Sequence, residues 1–179
     1  MILKNYYNML TAFITGGETK IWELRDDGST GKFPYYGNKQ YASGVAYNSL
    51  YTSMGKITTA FKTAGICFGD GTAQPDINDI TLSGNIILTL TGTATVTQNT
   101  DDNGTSVTST IVLKNTGSKA VTLSEVGLII RAYRSSGAAY NVWLLVDRTL
   151  LETPVTIPSN ETRTINYTIS IARPLGMEV

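Results

Sequence analysis

The chain has 179 residues, of which 41% are hydrophobic, and its 14 Lys+Arg balance its 14 Asp+Glu to a formal net charge of zero. That hydrophobic fraction is sufficient for one buried core without help from metals or disulfides. A single cysteine and the lack of any histidine exclude an intrachain disulfide framework, Cys/His zinc sites and imidazole acid–base chemistry.

The first 17 residues interrupt their apolar positions with Lys4, Asn5 and Asn8. They lack the apolar run and small-residue cleavage site of a signal peptide, so we expect this segment to be retained. No segment approaches the roughly 20 apolar residues of a membrane-spanning helix. No basic block is present that would neutralise a run of phosphates. We therefore expect neither a membrane nor a nucleic acid as a partner.

A short amphipathic helix is predicted at the start of the chain, before the glycine pair at 16 and 17. Its apolar stripe follows the three-and-four spacing of one helix face and consists of Leu3, Tyr7, Leu10 and Ile14. A helix of this length is marginal alone. The stripe must therefore pack on another surface.

Aromatic residues are concentrated before the composition changes near Gly65, with seven of the ten tyrosines in that part. Residues 18–53 mix turn formers with aromatics and have no regular period. Because tyrosine gives a large contact area with few rotors, we interpret residues 1–56 as a helix and extended arm for attachment. A loop-rich cap on the chain's own domain is the alternative. The predicted interface residues are Leu3, Tyr6, Tyr7, Leu10, Ile14, Trp22, Tyr35 and Tyr36.

Residues 57–179 have the pattern of a β-sandwich domain. Apolar positions alternate with Thr and Ser in segments 65–68, 80–82, 86–96, 107–113, 121–133, 141–151 and 165–171. Residues 101–104 (DDNG) predict a hairpin turn, and residues 154–158 predict an edge-type connection because proline is tolerated there. Strands with turns every 8 to 12 residues or so are typical of an Ig-like antiparallel sandwich. The expected fold class is mainly β.

The carboxylates do not form a recognisable catalytic or metal motif. The cluster Asp70, Asp76 and Asp79 has the residue type of a calcium loop but not its spacing, so we interpret these residues as turn formers. Glu125 and Glu152 are isolated glutamates that nothing in the sequence brings together as a glycosidase pair. No nucleophile elbow or phosphate loop is present. The sequence predicts no catalytic, metal or cofactor-binding residue.

Two residues of the sandwich have competing interpretations. Cys67 lies in an apolar strand and is predicted to be a small buried hydrophobe. Trp143 is interpreted as a core residue, with an interface anchor as the alternative. Tyr133 and Tyr140, together with Trp143, are the aromatics beside the polar residues 135–137. These three leave open a module that binds carbohydrate.

Residues 66–75 (ICFGDGTAQP), closed by residues 79–84 (DITLSG), resemble a known sequence pattern. It is the "valine–glycine–threonine–glycine–threonine … proline … aspartate … leucine" opening of small virion proteins of tailed bacteriophages and prophages. Asp70 stands in place of the usual threonine. Later segments that fit the same pattern are 114–118, 124–128, 146–150 and 154–158. The resemblance covers roughly residues 66 to 171.

The resemblance implies an Ig-like or related sandwich that serves as a building block of a capsid, neck, tail or baseplate, without catalytic residues. We therefore expect a non-enzymatic phage structural protein, assembled into the virion in the host cytoplasm. Its expected partners are other virion structural proteins and copies of itself. A carbohydrate- or receptor-binding module on a fibre or cell surface is the alternative, followed by a bacterial surface or pilus-like subunit.

Overall fold

The structure, a computed structural model, describes residues 18–24, 30–36, 54–59, 63–101, 104–134 and 140–172. Its strands are β1 (Glu18–Leu24), β2 (Thr30–Tyr36), β3 (Gly65–Gly69), β4 (Leu90–Asp101), β5 (Gly104–Asn115), β6 (Val121–Arg134), β7 (Tyr140–Ile157) and β8 (Thr162–Ala172). They form a five-stranded sheet in the order β2-β1-β7-β6-β3 and a three-stranded sheet in the order β4-β5-β8. The mainly β class with two antiparallel sheets is thereby confirmed. Among the described residues, no helix is long and apolar enough to cross a membrane.

One apolar core lies between the two sheets. The five-stranded sheet contributes Ile66, Phe68, Leu123, Val126, Leu128, Ile130, Leu144, Val146 and Ile157 to it, and the three-stranded sheet contributes Leu90, Ile111, Leu113, Ile165 and Tyr167. β5 reaches the core with every second residue, since it buries Ile111 and Leu113 and exposes Val112. Burial of each such aliphatic side chain stabilises the fold by roughly 1.5 to 3 kcal/mol.

The predicted hairpin between β4 and β5 is confirmed. The two strands pair antiparallel in one continuous register, from Leu90 opposite Asn115 to Asp101 opposite Gly104. Residues 102 and 103 lie outside the described residues. The two-residue separation matches the commonest hairpin connection.

Two predicted elements of the sandwich are wrong. Residues 80–82 form no strand, and β4 begins at Leu90, because the preceding backbone makes other contacts; Ile86 has only an isolated bridge to Gly69. The predicted connection at 154–158 is instead mostly strand, since β7 continues to Ile157. There the register between β6 and β7 shifts, and this bulge accommodates Pro154 inside a strand.

Part of the predicted arm forms strands. β1 and β2 pair as an antiparallel hairpin from Glu18 opposite Tyr36 to Leu24 opposite Thr30, and Leu24 also pairs with Trp143 of β7. These residues extend the five-stranded sheet. Pro34 and Lys32 lie in β2, the terminal strand of that sheet, where both residue types are tolerated. The predicted helix lies outside the described residues, and the boundary at residue 56 stays a prediction.

Candidate functional site

Residues 70–89, which we call the crossover segment, connect β3 of one sheet to β4 of the other. On the outer face of the five-stranded sheet, Leu82 of this segment packs in a second apolar cluster with Cys67, Ile129, Trp143 and Leu145. The sheet is therefore buried on both faces at this point. Polar side chains beside this cluster fix the path of the crossover segment.

Glu125 of β6 is the anchor of the crossover segment and is fully buried. Its Oε1 accepts hydrogen bonds from the backbone N–H groups of Gly71 (3.2 Å) and Gly84 (2.8 Å). Its Oε2 accepts from the backbone N–H (3.1 Å) and the hydroxyl (3.2 Å) of Ser83, and from Nε of Arg148 (2.7 Å). A carboxylate offers about four acceptor positions. The capacity of Glu125 is used entirely for holding the chain.

Arg148 of β7 completes this arrangement, with a relative exposure of 1%. Nη1 donates to Oδ2 of Asp79 (2.5 Å) and to the Gln74 carbonyl (3.4 Å), and Nη2 donates to the Ala73 carbonyl (2.6 Å). Burial alone would lower the pKa of Arg148, but Glu125 and Asp79 outweigh that effect and raise it. We call Glu125, Arg148 and Asp79 the buried ion network.

Two glycines of the crossover segment are required by this geometry. A Cβ atom on Gly71 would overlap the Ser83 hydroxyl and the Glu125 carboxylate, and one on Gly84 would overlap Asp70 Oδ1 and the Gly71 backbone. The backbone approaches the carboxylate closely because neither residue has a side chain. Gly71 and Gly84 are therefore the positions at which the backbone of the crossover segment contacts Glu125.

The acidic cluster of the crossover segment consists of hydrogen-bonded carboxylates. Asp70 Oδ1 accepts from the Asn85 N–H, Asp76 Oδ1 from the Asn78 N–H, and Asp79 Oδ2 from the Asp76 N–H, each at 2.8 Å. The hydrogen bond from Asn78 also lowers the pKa of Asp76. This agrees with the interpretation as turn formers. Within the described ranges, no group of three or more potential metal ligands is assembled.

Asn115, at the end of β5, is a second buried polar centre with 0% exposure. Its Nδ2 donates to the carbonyls of Lys119 (2.8 Å), Ile157 (3.1 Å) and Pro158 (3.3 Å). Its Oδ1 accepts from the Gly117 N–H (2.9 Å) and the Thr89 hydroxyl (3.0 Å). One side chain thus joins the β5–β6 turn, the end of β7 and the crossover segment.

A third polar contact joins the sheets across the core. The hydroxyl of Tyr167 in β8 donates to Asp147 Oδ2 in β7 (2.5 Å), and the Thr149 hydroxyl donates to the same oxygen (3.2 Å). Asp147 is 4% and Tyr167 5% exposed. Burial, followed by the Asp147 charge, raises the pKa of Tyr167. The sandwich is therefore held by directional bonds as well as by apolar packing.

The residues predicted as interface or glycan contacts are distributed as follows. Leu3, Tyr6, Tyr7, Leu10 and Ile14 lie outside the described residues. Trp22 lies on β1 opposite Lys32, and Tyr35 and Tyr36 lie at the end of β2, with only their backbone described. Tyr133 and Tyr140 lie on β6 and β7 with undescribed side chains, whereas Trp143 is buried at 7% exposure. The core interpretation of Trp143 is confirmed, so it is no platform for a sugar.

The outer face of the three-stranded sheet is a polar surface, which we call the threonine face. The register places on it Thr91, Thr93, Thr95, Thr97 and Asn99 of β4, Ser106, Thr108, Thr110, Val112 and Lys114 of β5, and Thr162, Thr164, Asn166, Thr168 and Ser170 of β8. Its members are mostly exposed, and the hydroxyls of Thr108 and Thr168 are 2.8 Å apart. Among these positions only Lys114 is charged, and Asp101 continues the same face at the hairpin end of β4.

Acid should destabilise the protein partly through Glu125. Burial alone would raise the pKa of Glu125, but bonds from Arg148, Gly84 and Ser83 outweigh it and hold the pKa below its ordinary 4.5. A depressed folded pKa gives stability that is present above the unfolded value and is lost as the pH falls below it. We expect the melting temperature to fall between about pH 5 and pH 3.

The variant Glu125→Gln should show a shallower fall over the same pH range, although its melting temperature at neutral pH will be lower. The exposed Glu152→Gln is the matched control and should keep the wild-type pH dependence. Thermal unfolding followed by circular dichroism at several pH values measures both. If the melting temperature of Glu125→Gln fell with pH as steeply as that of the wild type, Glu125 would not be a source of the acid sensitivity.

Cys67 should be unreactive in the folded protein. Its thiol is fully buried and donates to the Gly127 carbonyl at 3.5 Å, and burial raises its pKa to about 12. Because the thiolate is the reactive species, we expect no labelling by an aromatic disulfide reagent near neutral pH, and one equivalent in denaturant. Rapid labelling without denaturant would show that β3 opens.

In the sequence Glu125 is an isolated glutamate, and no motif singles out Arg148 or Asn115. All three nevertheless lie in segments on which the resemblance noted above was based, at 124–128, 146–150 and 114–118. The comparisons with known proteins match this chain to no family model, no curated protein and no solved structure.

Proposed function

We propose that this chain is a non-enzymatic structural protein of a tailed-phage virion that acts by packing against other virion proteins and copies of itself. One observation carries the proposal. The segments that resemble phage proteins meet at two buried centres: residues 66–75, 79–84, 124–128 and 146–150 around Glu125 and Arg148, and residues 114–118 and 154–158 around Asn115. The segments that carry the resemblance are therefore the ones whose contacts hold the sandwich together.

The chemistry of these centres supports a structural role. Each polar atom described above in Glu125, Arg148 and Asn115 is engaged by backbone groups or by another member of its centre. A general acid or base must reach a substrate within hydrogen-bond distance, and these groups are buried beneath the chain that they hold. They stabilise a shape that many identical copies could present.

The strand pairing supports the Ig-like part of the proposal. Immunoglobulin sandwiches have sheets with the orders A-B-E-D and C-F-G. If β3 to β7 take the positions C, D, E, F and G, then β3-β6-β7 reproduces C-F-G. The other sheet, β8-β5-β4, then reproduces B-E-D. The difference is that the strand in position B follows G along this chain instead of preceding C.

The surface of the sandwich is compatible with dense packing. The threonine face is nearly uncharged and the whole chain has a formal net charge of zero, so neighbouring copies would not repel one another. A rigid sandwich also loses little conformational entropy on docking. The attachment role of Leu3, Tyr7 and Leu10 in the N-terminal segment stays a part of this proposal.

The test is to purify tailed particles from the organism that carries the gene, through a density gradient, and to quantify their proteins by mass spectrometry. We expect the chain to follow the particle peak at a constant ratio to the major capsid protein, and antibodies against it to label one part of the particle in electron micrographs. A chain that stays in the soluble fraction, with none in the particles, would overturn the proposal. Binding to a glycan array by the free protein would instead favour the carbohydrate-binding module.

A further inference from the structure

β4 differs from the other terminal strands of the two sheets. It has 12 residues, and residues 90–100 (LTGTATVTQNT) contain neither a charge nor a proline. Terminal strands usually carry lysine or proline, or are covered, since an open ladder invites pairing with another chain. β2 contains Lys32 and Pro34, and β8 contains Arg163.

β3, the remaining terminal strand, is covered. Ile57 bridges to Ile66, and Ile86 bridges to Gly69. Among the described strands, β4 is therefore the longest terminal strand and contains no lysine, arginine or proline; its one charged residue, Asp101, lies at the hairpin end. Its side chains are also mostly exposed, including Val96 at 44%.

The backbone groups on the open side of β4 can be assigned from the register. A two-residue hairpin closes on a hydrogen-bonded pair, here Asp101 and Gly104, and such pairs alternate along an antiparallel ladder. The odd-numbered residues of β4 therefore bond to β5, and the Thr89 carbonyl, which accepts from the Thr116 N–H at 2.9 Å, agrees with this parity. The even-numbered residues, Ala94 and Val96 among them, direct their N–H and C=O groups to the edge of β4 that pairs with no described strand.

We propose that β4 pairs antiparallel with β4 of a second copy of this chain, on a two-fold axis at Thr95, so that the two three-stranded sheets become one continuous sheet. An isologous contact places each strand opposite itself, so a charged strand would set like charges face to face. β4 has no such charge over residues 90–100. Self-pairing is thus the partnership that this strand's composition fits.

The register at Thr95 matches residue types on both faces of the new ladder. On the threonine face, Thr95 lies opposite its own copy and Thr93 opposite the copy's Thr97, and such threonine pairs are favourable across strands. On the core face, Ala94 lies opposite the copy's Val96, so the half-exposed Val96 side chain gains an apolar neighbour. Ala94 and Val96 are also the residues whose backbone groups face the open edge.

The oligomeric state of the purified full-length protein tests this proposal without reference to any particle, so its failure is separable from failure of the virion role. Light scattering after size exclusion should give twice the chain mass of 19.3 kDa. Thr95→Lys should halve the measured mass, because two ammonium groups would meet on the axis. Thr110→Lys is the matched control, because Thr110 lies beside Thr95 on the exposed threonine face but one strand in from the edge. It should remain a dimer.

Two further substitutions at Thr95 test the register. Thr95→Glu alone should be monomeric, and an equimolar mixture with Thr95→Lys should recover the dimer. Thr95→Cys should form an intermolecular disulfide on mild oxidation, since Cα atoms of a non-hydrogen-bonded pair are about 4.5 Å apart, whereas Thr110→Cys should not. A monomeric wild type, a dimeric Thr95→Lys, or equal loss of dimer in Thr95→Lys and Thr110→Lys would overturn the proposal.

Discussion

Replacing Arg148 with methionine should lower the free energy of unfolding by about 3 to 5 kcal/mol, the cost of removing one partner from a buried ion pair. Methionine retains most of the length of the side chain but none of its donors. Glu125 would then keep a buried negative charge without its cation, and Asp79 and the Ala73 carbonyl would each lose a hydrogen bond. Urea unfolding, followed by circular dichroism, measures the loss.

Arg163→Met is the matched control, since it makes the same chemical change in an exposed ion pair. Arg163 lies 3.8 Å from Glu161, and the two side chains are 46% and 59% exposed. Exposed pairs contribute at most about 1 kcal/mol, so this variant should unfold close to the wild type. Equal losses in the two variants would mean that the buried ion network contributes no more than a surface contact.

The alternation of apolar and polar residues in β5 and β8 was sufficient to predict which of their side chains face the core. In β5, Ile111 and Leu113 alternate with Thr110 and Val112, and the structure buries the first pair and exposes the second. The hairpin at residues 101–104 was also predicted correctly, because its turn residues are specific. These features depend on neighbours along the chain, which a sequence displays directly.

The buried ion network could not be predicted in the same way, because it depends on a bulge. Simple alternation along β7 from the core residue Leu144 would direct Val146 and Arg148 into the core and Asp147 outward. The register shift between Leu128 and Ile129 of β6 makes Val146 an extra residue and reverses this order beyond it. Arg148 therefore faces Glu125 outside the core, while Asp147 faces Tyr167 inside it.

The N-terminal hairpin was missed for another reason. Its aromatic and turn residues were attributed to an arm because they have no clean period, but β1 and β2 complete a sheet whose other strands supply the pairing partner. Strand propensity depends on such context more than helix propensity does. The sequence pattern alone did not identify β7 as the neighbour.

Replacing Asn115 with alanine should lower the free energy of unfolding by roughly 2 to 4 kcal/mol, because buried groups left without a partner cost about 1 to 3 kcal/mol each. The groups that lose a partner are the Gly117 N–H, the Thr89 hydroxyl and the carbonyls of Lys119, Ile157 and Pro158. Backbone bonds in the same region limit the loss, among them those from Asn115 N–H to the Glu161 carbonyl and from Asn160 N–H to the Asn115 carbonyl.

Asn166→Ala, on the exposed threonine face, is the control for Asn115→Ala and should change stability by less than about 0.5 kcal/mol.

The variant Asn115→Asp keeps the shape of the side chain but replaces its amide donor with a carboxyl oxygen. Its carboxylate would face three carbonyl oxygens, so burial and repulsion should favour its protonated form, which supplies the missing donor. A folded pKa raised above the unfolded value gives stability that is lost as the pH rises. The deficit of Asn115→Asp relative to wild type should therefore shrink between pH 7 and about pH 4, whereas that of Asn115→Ala should not. Equal deficits at both pH values would mean that the amide nitrogen is not what holds these carbonyls.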